Sequence, residues 1–171
     1  MDFSHVIKKI RNSFYASGVD SFHTKAIITP SGPLYLKHFK DAFMWDKANN
    51  YIRVHRHLTT DHFSLSSTLK MRNHLAEHVL NEDMLYLLRQ FQETLSNPSD
   101  IQPAIEVVTI TSQFINVFRS SELISSTHDD RIVVLYNVVT FFKDWHSFCK
   151  QKQDSNISKN FVTSQCFDDI V

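Results

Sequence analysis

Histidines concentrate in one part of this chain, between Arg53 and Asn81. Five of the ten histidines lie in this stretch: His55, His57, His62, His74 and His78. An imidazole can bind a metal ion, transfer a proton or change its charge near neutral pH, so the stretch is a candidate for chemistry. A basic cluster and the start of a long amphipathic pattern occupy the same residues. One hypothesis that follows from these residue types is a zinc site.

The zinc hypothesis rests on a short motif, His74-Leu-Ala-Glu77-His78, which fits H-x-x-E-H. On a helix the two histidines lie one turn apart on the same face, and Glu77 is placed to act as a general base. No third ligand is marked by its context, although Glu106 and Glu122 can be nominated. A pattern with three fixed positions arises readily by chance in a histidine-rich chain. A zinc hydrolase is therefore an alternative, and the main prediction is that no metal is bound.

Composition and missing motifs exclude several classes of protein. The 171 residues are 42% hydrophobic and include 14 phenylalanines, enough for one domain or slightly more with a real core. The chain has 18 Lys and Arg residues and 18 Asp and Glu residues, so its net charge does not predict strong nonspecific binding of nucleic acid. Neither G-x-x-x-x-G-K-S/T nor G-x-S-x-G is present, which excludes a P-loop and a nucleophile-elbow hydrolase.

Cysteine content and hydropathy predict an intracellular protein without a membrane partner. The two cysteines, Cys149 and Cys166, form no motif and suit a reducing compartment. No apolar run approaches the length that crosses a bilayer, and the first residues lack the apolar centre of a signal peptide.

The fold class predicted from periodicity is mainly α, because glycine and proline are scarce and apolar residues repeat at helical spacing. Five helical regions are predicted: about Ser4–Ala16, Leu34–Lys47, Ser66–Leu95, a region after Pro103, and Asp129–Lys150. Ser4 is predicted to cap the first helix, and the third has a possible break near Asn81. Short β pieces are predicted at the edges, at Lys25–Pro30 and from Phe161.

Six blocks of this chain, in the same order, resemble the P-element transposase family, which includes the transposase-derived THAP-domain proteins. Asp2 to Asn12 resembles D-x-P-H-L-x-K-x-x-R-N, with Ser4 in place of the proline. The others are Leu34–Lys47, resembling W-x-x-I…Y-x-x-D-K; Arg53–His62, resembling R-x-x-P-K-L-T-x-K-H; Lys70–Ala76, resembling K-M-x-V-x-L-A; Thr109–Phe118, resembling T-x-x-F-I…F-D-I-L-N; and Phe161–Gln165, resembling the return strand F-L-T-S-Q.

The resemblance implies a specific domain organisation. In that family an RNase H-like core is split by a helical insertion that binds GTP. Residues 1–20 would then be the end of one core segment and a linking helix, 21–152 the GTP-binding-type insertion, and 153–171 a linker and the start of the returning core. DNA as a partner and a nuclear location also follow from the resemblance.

Catalysis by this chain alone is not expected from the same resemblance. Asp2 matches the second of the family's three catalytic acidic residues, and the first acid and the final glutamate have no counterpart here. Two-metal phosphoryl transfer needs a cluster of carboxylates to hold both cations. We therefore expect Asp2 to be vestigial.

The nucleotide site that the resemblance implies, for GTP with Mg²⁺, departs from the family at several positions. The residues carried over to this site are His57, Arg72, Asn73, Asn81 and Phe118. The family has lysine, valine and serine where this chain has His57, Asn73 and Asn81, and aspartate and asparagine where it has Arg119 and Glu122. An aspartate accepts hydrogen bonds from the guanine edge, whereas an arginine only donates. Weak or absent GTP binding is therefore predicted.

Three functions remain open from the sequence. The favoured one is a fragment or domesticated remnant of a P-element-type DNA transposase that acts through binding, with DNA or a protein as partner. The second is a helical protein-interaction module without a nucleotide or DNA role. The third is the zinc hydrolase that uses His74, Glu77 and His78.

Overall fold

The computed structural model describes residues 2–19, 23–152 and 156–171, and most of these residues are helical. In chain order the described helices are α1 Phe3–Tyr15, α2 Leu36–Asn49, α3 Ser67–Lys70, α4 Asn73–Leu80, α5 Glu82–Gln92, α6 Gln102–Arg119, α7 Asp130–Gln151, α8 Ile157–Asn160 and α9 Ser164–Ile170. Two short 3₁₀ helices, Thr60–His62 and Pro98–Ile101, lie in the connections. The mainly α fold class is confirmed.

Helix α1 begins one residue before the predicted start. Its N-cap is Asp2, whose carboxylate accepts a hydrogen bond from the backbone N–H of Ser4 at 3.0 Å, so the prediction that Ser4 caps this helix is wrong. An aspartate is an equally good cap because its side chain satisfies a first-turn donor. Val6, Ile10 and Phe14, spaced by four residues, are buried.

The long helix predicted over Ser66–Leu95 is three helices, α3, α4 and α5. The break between α4 and α5 falls at Asn81, whose backbone is extended, with φ −89° and ψ −178°. The Asn81 side chain accepts a hydrogen bond from the N–H of Met84 at 3.0 Å and so begins α5. The predicted break near Asn81 is thus confirmed, and an earlier break after α3 was not foreseen.

Strand structure in the described residues is one hairpin, β1 Ile28–Thr29 paired with β2 Gly32–Pro33. Gly32 has φ +135°, a conformation that glycine adopts without strain. The strand predicted from Phe161 is wrong. Phe161 is buried in a bend, and Thr163 caps α9 through a hydrogen bond from the N–H of Cys166 to its hydroxyl, at 3.2 Å.

One hydrophobic core joins the two ends of the described chain to its middle. Helix α1 packs against α4 and α9, and α6 packs against α5 and α7. Trp145 of α7 stacks edge-on against Phe161 at 4.7 Å and donates a hydrogen bond from Nε1 to the carbonyl of Ile28 at 2.7 Å. The Lys25 ammonium donates to the carbonyls of Ser158 and Phe161 at 2.6 and 2.8 Å, so the hairpin region is tied to the last helices. None of the described helices has the length and apolar character needed to cross a membrane.

Candidate functional site

A cleft of about 340 Å³ lies between residues of two sequence blocks, Arg53–His62 and Thr109–Phe118, and residues that follow the Lys70–Ala76 block. His57 comes from the connection after α2, Glu77 and Asn81 from α4 and its end, and Asn116 and Arg119 from the last turns of α6. Helices α4 and α6 pack against each other, which brings together residues that are about 40 positions apart in the chain. This cleft is the candidate site because it brings together polar side chains that lie in or directly after the blocks that predict a nucleotide pocket.

Arg119 is bound within the cleft by a carboxylate. Its Nε donates to Oε2 of Glu77 at 3.0 Å, and its Nη2 donates to Oε1 of the same side chain. This two-point hydrogen bond raises the pKa of Arg119 above its ordinary value. Glu82 and Asp83 add two further carboxylates to the lining. Among the described residues that line the cleft, one guanidinium is therefore accompanied by three carboxylates.

Four histidine rings surround His78, a grouping that the sequence did not predict. The ring centroids of His55, His57, His62 and His74 lie 6.0, 5.1, 5.4 and 5.9 Å from that of His78. Only His74 and His78 share a helix; the others come from the connection between α2 and α3. The tertiary packing of this connection on α4 therefore forms the cluster.

The hydrogen bonds of the cluster define which ring nitrogens carry hydrogen. The backbone N–H of Thr59 donates to His62 Nδ1 at 3.0 Å, so this nitrogen is an acceptor without hydrogen. His62 Nε2 then carries the hydrogen and donates to His78 Nδ1 at 3.1 Å. His55 Nε2 lies 2.8 Å from the carbonyl of His78 and donates to it. A chain of hydrogen bonds thus runs from Thr59 through two neutral imidazoles.

Burial makes the cluster resist protonation. Desolvation and the neighbouring His78 lower the pKa of His62 to about 4. Burial is also the largest cause that lowers the pKa of His78 and of His55, and the carbonyl of His78 acts against it at His55. At neutral pH these three rings are therefore uncharged.

The residues of the zinc hypothesis are engaged by other groups. The carboxylate of Glu77 binds Arg119, and Nδ1 of His78 accepts from His62. The nominated Glu106 accepts hydrogen bonds from Ser31 and Gln102 instead of approaching the histidines. Across residues 2–19, 23–152 and 156–171, no group of three or more His, Cys, Asp or Glu side chains has an arrangement that could hold a metal ion.

The other nominated acid, Glu122, lies in the exposed loop after α6. Its backbone carbonyl accepts a hydrogen bond from Arg131 at 2.5 Å, and its N–H donates to the hydroxyl of Ser120 at 3.2 Å. The contacts of this residue are thus with its own loop and the start of α7.

Of the five residues predicted for nucleotide binding, the structure brings His57 and Asn81 into the cleft. Arg72 is exposed and Asn73 is the first residue of α4, so both lie at the opposite end of this eight-residue helix from Asn81, about 12 Å away at 1.5 Å per residue. Phe118 stacks on Phe3 with ring centroids 4.8 Å apart and does not line the cleft.

Asp2, the one catalytic acid that the resemblance carries over, serves α1 as its cap and is exposed. The Nε2 atom of the His5 ring lies 3.9 Å from its carboxylate. Its environment is that of a helix terminus and not of a carboxylate cluster.

A second cavity, of about 520 Å³, was not foreseen from the sequence. Its walls are largely apolar, with Phe91, Leu95 and Ile101 on one side and Tyr35 and His38 on the other. These residues belong to three separate parts of the chain, of which Tyr35 and His38 fall in the Leu34–Lys47 block and the others in no motif. Only the packing of α2 beside α5 could reveal the cavity.

Models of known protein families, curated protein sequences and solved structures all fail to match this chain. The resemblance to the P-element transposase family therefore rests on the six sequence blocks. The geometry of the cleft is independent of that resemblance.

Proposed function

We propose that this chain is the helical insertion-type domain of a P-element-type transposase, flanked by edges of its split RNase H-like core, and that it acts through binding and not catalysis. The observation that supports the proposal is that one cleft collects positions compared with the family from separate stretches of the sequence. His57 belongs to the Arg53–His62 block, Asn81 and Arg119 follow the Lys70–Ala76 and Thr109–Phe118 blocks, and all three line this cleft. A single binding site formed by these stretches would account for family-like residues in parts of the chain that are far apart in the sequence.

The charges in the cleft oppose a nucleoside triphosphate. Glu77, Glu82 and Asp83 face a ligand that is itself strongly negative, and Arg119 already binds Glu77. His78 is uncharged at neutral pH because burial lowers its pKa. Weak GTP binding is therefore proposed from the lining of the cleft as well as from the sequence departures.

Calorimetric titration of the full chain with GTP and Mg²⁺ tests this proposal directly. We expect no binding stronger than about 1 mM, which corresponds to a binding free energy of about −4 kcal/mol. Low-micromolar affinity for GTP would contradict the proposed loss of the site.

A variant that restores family residue types at His57 and Arg119 tests whether the cleft is the site of nucleotide binding. The variant His57→Lys/Glu77→Ala/Arg119→Asp adds a cation for phosphates and an acceptor for guanine, and it removes the carboxylate that would repel the new one. We expect this variant to bind GTP in preference to ATP. The matched control, His57→Lys/Glu77→Ala/Arg119→Ala, lacks only the acceptor and should not discriminate between the two nucleotides. If the triple variant folds but shows no preference for GTP, the cleft is excluded as the nucleotide site.

The second candidate function, a helical interaction module, has its own supporting observation. Val133 and Tyr136 on the first half of α7 are 60% and 73% exposed, and the nearby Leu123 is 87% exposed. Duplex DNA binding separates the two candidates. A transposase-type domain that retains a DNA role should bind DNA with an affinity that falls steeply as salt rises, and an interaction module should not bind it at any salt concentration. Fluorescence anisotropy with labelled duplex at two salt concentrations provides this measurement.

A further inference from the structure

The second cavity, of about 520 Å³, lies between α2, α5, the 3₁₀ helix Pro98–Ile101 and the β1–β2 hairpin. Its volume suits a small organic molecule, since ligand pockets in proteins commonly measure about 300 to 1,000 Å³. None of the described residues lines both this cavity and the candidate cleft. A ligand of the second cavity would therefore bind apart from any nucleotide.

Large apolar side chains on the walls of the second cavity keep part of their surface open to solvent. Phe91 and Leu95 pack against the hydrophobic core and are still only partly buried, and Tyr35 at the start of α2 is partly buried as well. The ring of Trp45 lies 5.8 Å from that of Phe91, and the ring of His38 lies 5.6 Å from that of Tyr35. Both aromatic walls are thus supported by a neighbouring ring, and an apolar ligand would remove their open surface from water.

Carboxylates outnumber cations in and around the second cavity. Asp41 and Asp100 line it, and Glu106 lies directly behind the lining Ser31, whose hydroxyl donates a hydrogen bond to Oε2 of Glu106 at 2.5 Å. Among the described residues that line the cavity, Lys37 is the only lysine or arginine. An entering ligand therefore meets an excess of negative charge.

Both lining aspartates act on the ring of His38. Burial is the largest cause that lowers the pKa of this ring, and the charges of Asp41 and Asp100 act in the opposite direction. Charges have this effect only at short range, so the two carboxylates lie close to the same wall of the cavity. Because the pKa of His38 is lowered, the ring is neutral at pH 7 and does not repel a cation.

The internal cation Lys37 is a weak competitor for Asp41. The two side chains form an ion pair one helical turn apart, and they are 75% and 40% exposed. Exposed pairs of this kind contribute little stability, because water screens the charges and two flexible side chains must be ordered. Asp100 accepts a hydrogen bond at 2.6 Å from Asn97, whose neutral amide does not cancel the negative charge. A second cation can therefore pair with either aspartate.

We propose that the second cavity binds a small free organic cation, an amine with an apolar body. The body would lie against Phe91, Leu95 and Tyr35, and the ammonium would pair with Asp41 and Asp100. The faces of aromatic rings attract an ammonium as well. The same charges disfavour phosphates, carboxylates and nucleotides. This site is additional to the cleft and does not depend on the ancestry of the chain.

Three compounds of matched size test the preference for positive charge on the full wild-type chain. At pH 7, 2-phenylethylamine is cationic, 2-phenylethanol is neutral and phenylacetate is anionic. Titration followed by two-dimensional amide NMR gives both the affinity and the location of binding. We expect the amine to bind roughly tenfold more tightly than the alcohol, with the largest shifts in residues 35–41 and 91–103, and phenylacetate not to bind.

Charge-removing variants test the assignment to Asp41 and Asp100. Asp41→Asn/Asp100→Asn keeps the shape of both side chains, so it should weaken binding of the amine roughly fivefold or more and leave that of the alcohol unchanged. Asp130→Asn/Asp144→Asn is the matched control, because it removes two exposed carboxylates of α7 that do not line the cavity, and it should bind both compounds as the wild type does.

A third variant addresses the competing cation and the aromatic wall is tested separately. Lys37→Gln frees Asp41 and should tighten binding of the amine. Phe91→Leu keeps an apolar wall without a ring face, so it should weaken binding of the amine more than that of the alcohol.

Several results would overturn the proposal. They are no binding of the amine, equal affinity for the amine and the alcohol, tighter binding of phenylacetate, or shifts centred on the cleft. An equal loss of amine affinity in the two double variants would also contradict it, because the charge effect would then be long-range and not local to the cavity. The wild-type comparison stands even if a variant fails to fold, and none of these results bears on the titration with GTP.

Discussion

Arg119 at the end of α6 and Glu77 on α4 form a two-point hydrogen bond that fastens the two helices at the mouth of the cleft. The arginine side chain is 58% exposed and the glutamate 15% exposed, so water screens much of the charge interaction. The pair matters more because it makes a cation unavailable to a ligand than because it stabilises the fold, since Arg119 is the only guanidinium among the described residues that line the cleft.

Loss of this ion pair should have a small effect on stability. Arg119→Ala should lower the free energy of unfolding by about 0.5 to 1 kcal/mol, as expected for a partly exposed pair with favourable geometry. Urea denaturation at low and high salt provides the measurement, and the difference should shrink at high salt. Lys37→Ala, which removes the exposed Lys37–Asp41 pair of α2, is the control and should cost less. A loss above about 2 kcal/mol would show that Arg119 is buried in solution.

Acid should destabilise the whole chain through His62. Because the folded-state pKa of this ring is lowered to about 4, its contribution to stability is complete above about pH 6.5 and is lost as the pH falls towards 4. The loss should approach roughly 3 kcal/mol at 1.36 kcal/mol per pKa unit. Urea denaturation at pH 7, 5.5 and 4 measures it. In His62→Gln the stability should change less over this range, and a slope equal to that of the wild type would refute the assignment.

The cap of α5 should be worth a measurable amount of stability. Asn81→Ala removes the acceptor for the N–H of Met84 and should cost about 1 kcal/mol. Asn81→Asp keeps the acceptor at the helix N-terminus but adds a charge beside Glu77, Glu82 and Asp83, so it should cost less than Asn81→Ala. Thermal unfolding followed by circular dichroism ranks the three chains. Ser66→Ala, at the cap of the four-residue α3, is the comparison and should cost less.

Arg11 is a buried cation whose replacement should be tolerated. It is 2% exposed, and its Nη2 donates a hydrogen bond to the carbonyl of Lys70 at 2.9 Å. Its Nε and Nη1 have no partner in the part of the chain that the structure describes, and burial lowers its pKa to about 10. Arg11→Met should leave stability unchanged or raise it by about 1 to 2 kcal/mol, since the costly charge is removed. Chemical denaturation measures this change, and a large loss of stability would indicate that an anionic group pairs with Arg11 in solution.

Both thiols should be inert in the folded chain. Burial raises the pKa of Cys149 to about 11 and that of Cys166 to about 12, so little reactive thiolate exists at neutral pH. A thiol-specific chromogenic reagent at pH 8 should label neither cysteine in buffer and both in urea. Rapid labelling of one thiol without denaturant would show that its helix opens locally.

Local patterns predicted much of the fold, and long-range packing supplied the rest. Helical spacing located the helices because apolar side chains repeated along single faces, as Val6, Ile10 and Phe14 do in α1. The strand predicted from Phe161 is wrong because a short apolar segment in a buried bend has the same residue types as a short apolar strand. Propensity could not show that Thr163 would be used as a helix cap.

The candidate site was predictable only in part. The sequence nominated His57 and Asn81, which line the cleft, but it could not show that His62 would join His78. That contact depends on how the connection after α2 folds back onto α4, over 16 positions in the chain. Arg119 was noted as a departure from a family pattern, and its ion pair with Glu77 became visible only once α4 and α6 were packed together.

The attachment of the hairpin region to the last helices has a consequence for synthesis on the ribosome. Lys25 donates a hydrogen bond to the carbonyl of Phe161, which lies 136 positions later in the chain. The carbonyl of Ile28 accepts one from Trp145, which lies 117 positions later. Contacts between such distant residues are slow to form because a long loop must close first. The local helices can therefore form while the chain is still emerging, but the hairpin must wait, uncovered, until Trp145 and Phe161 have been translated.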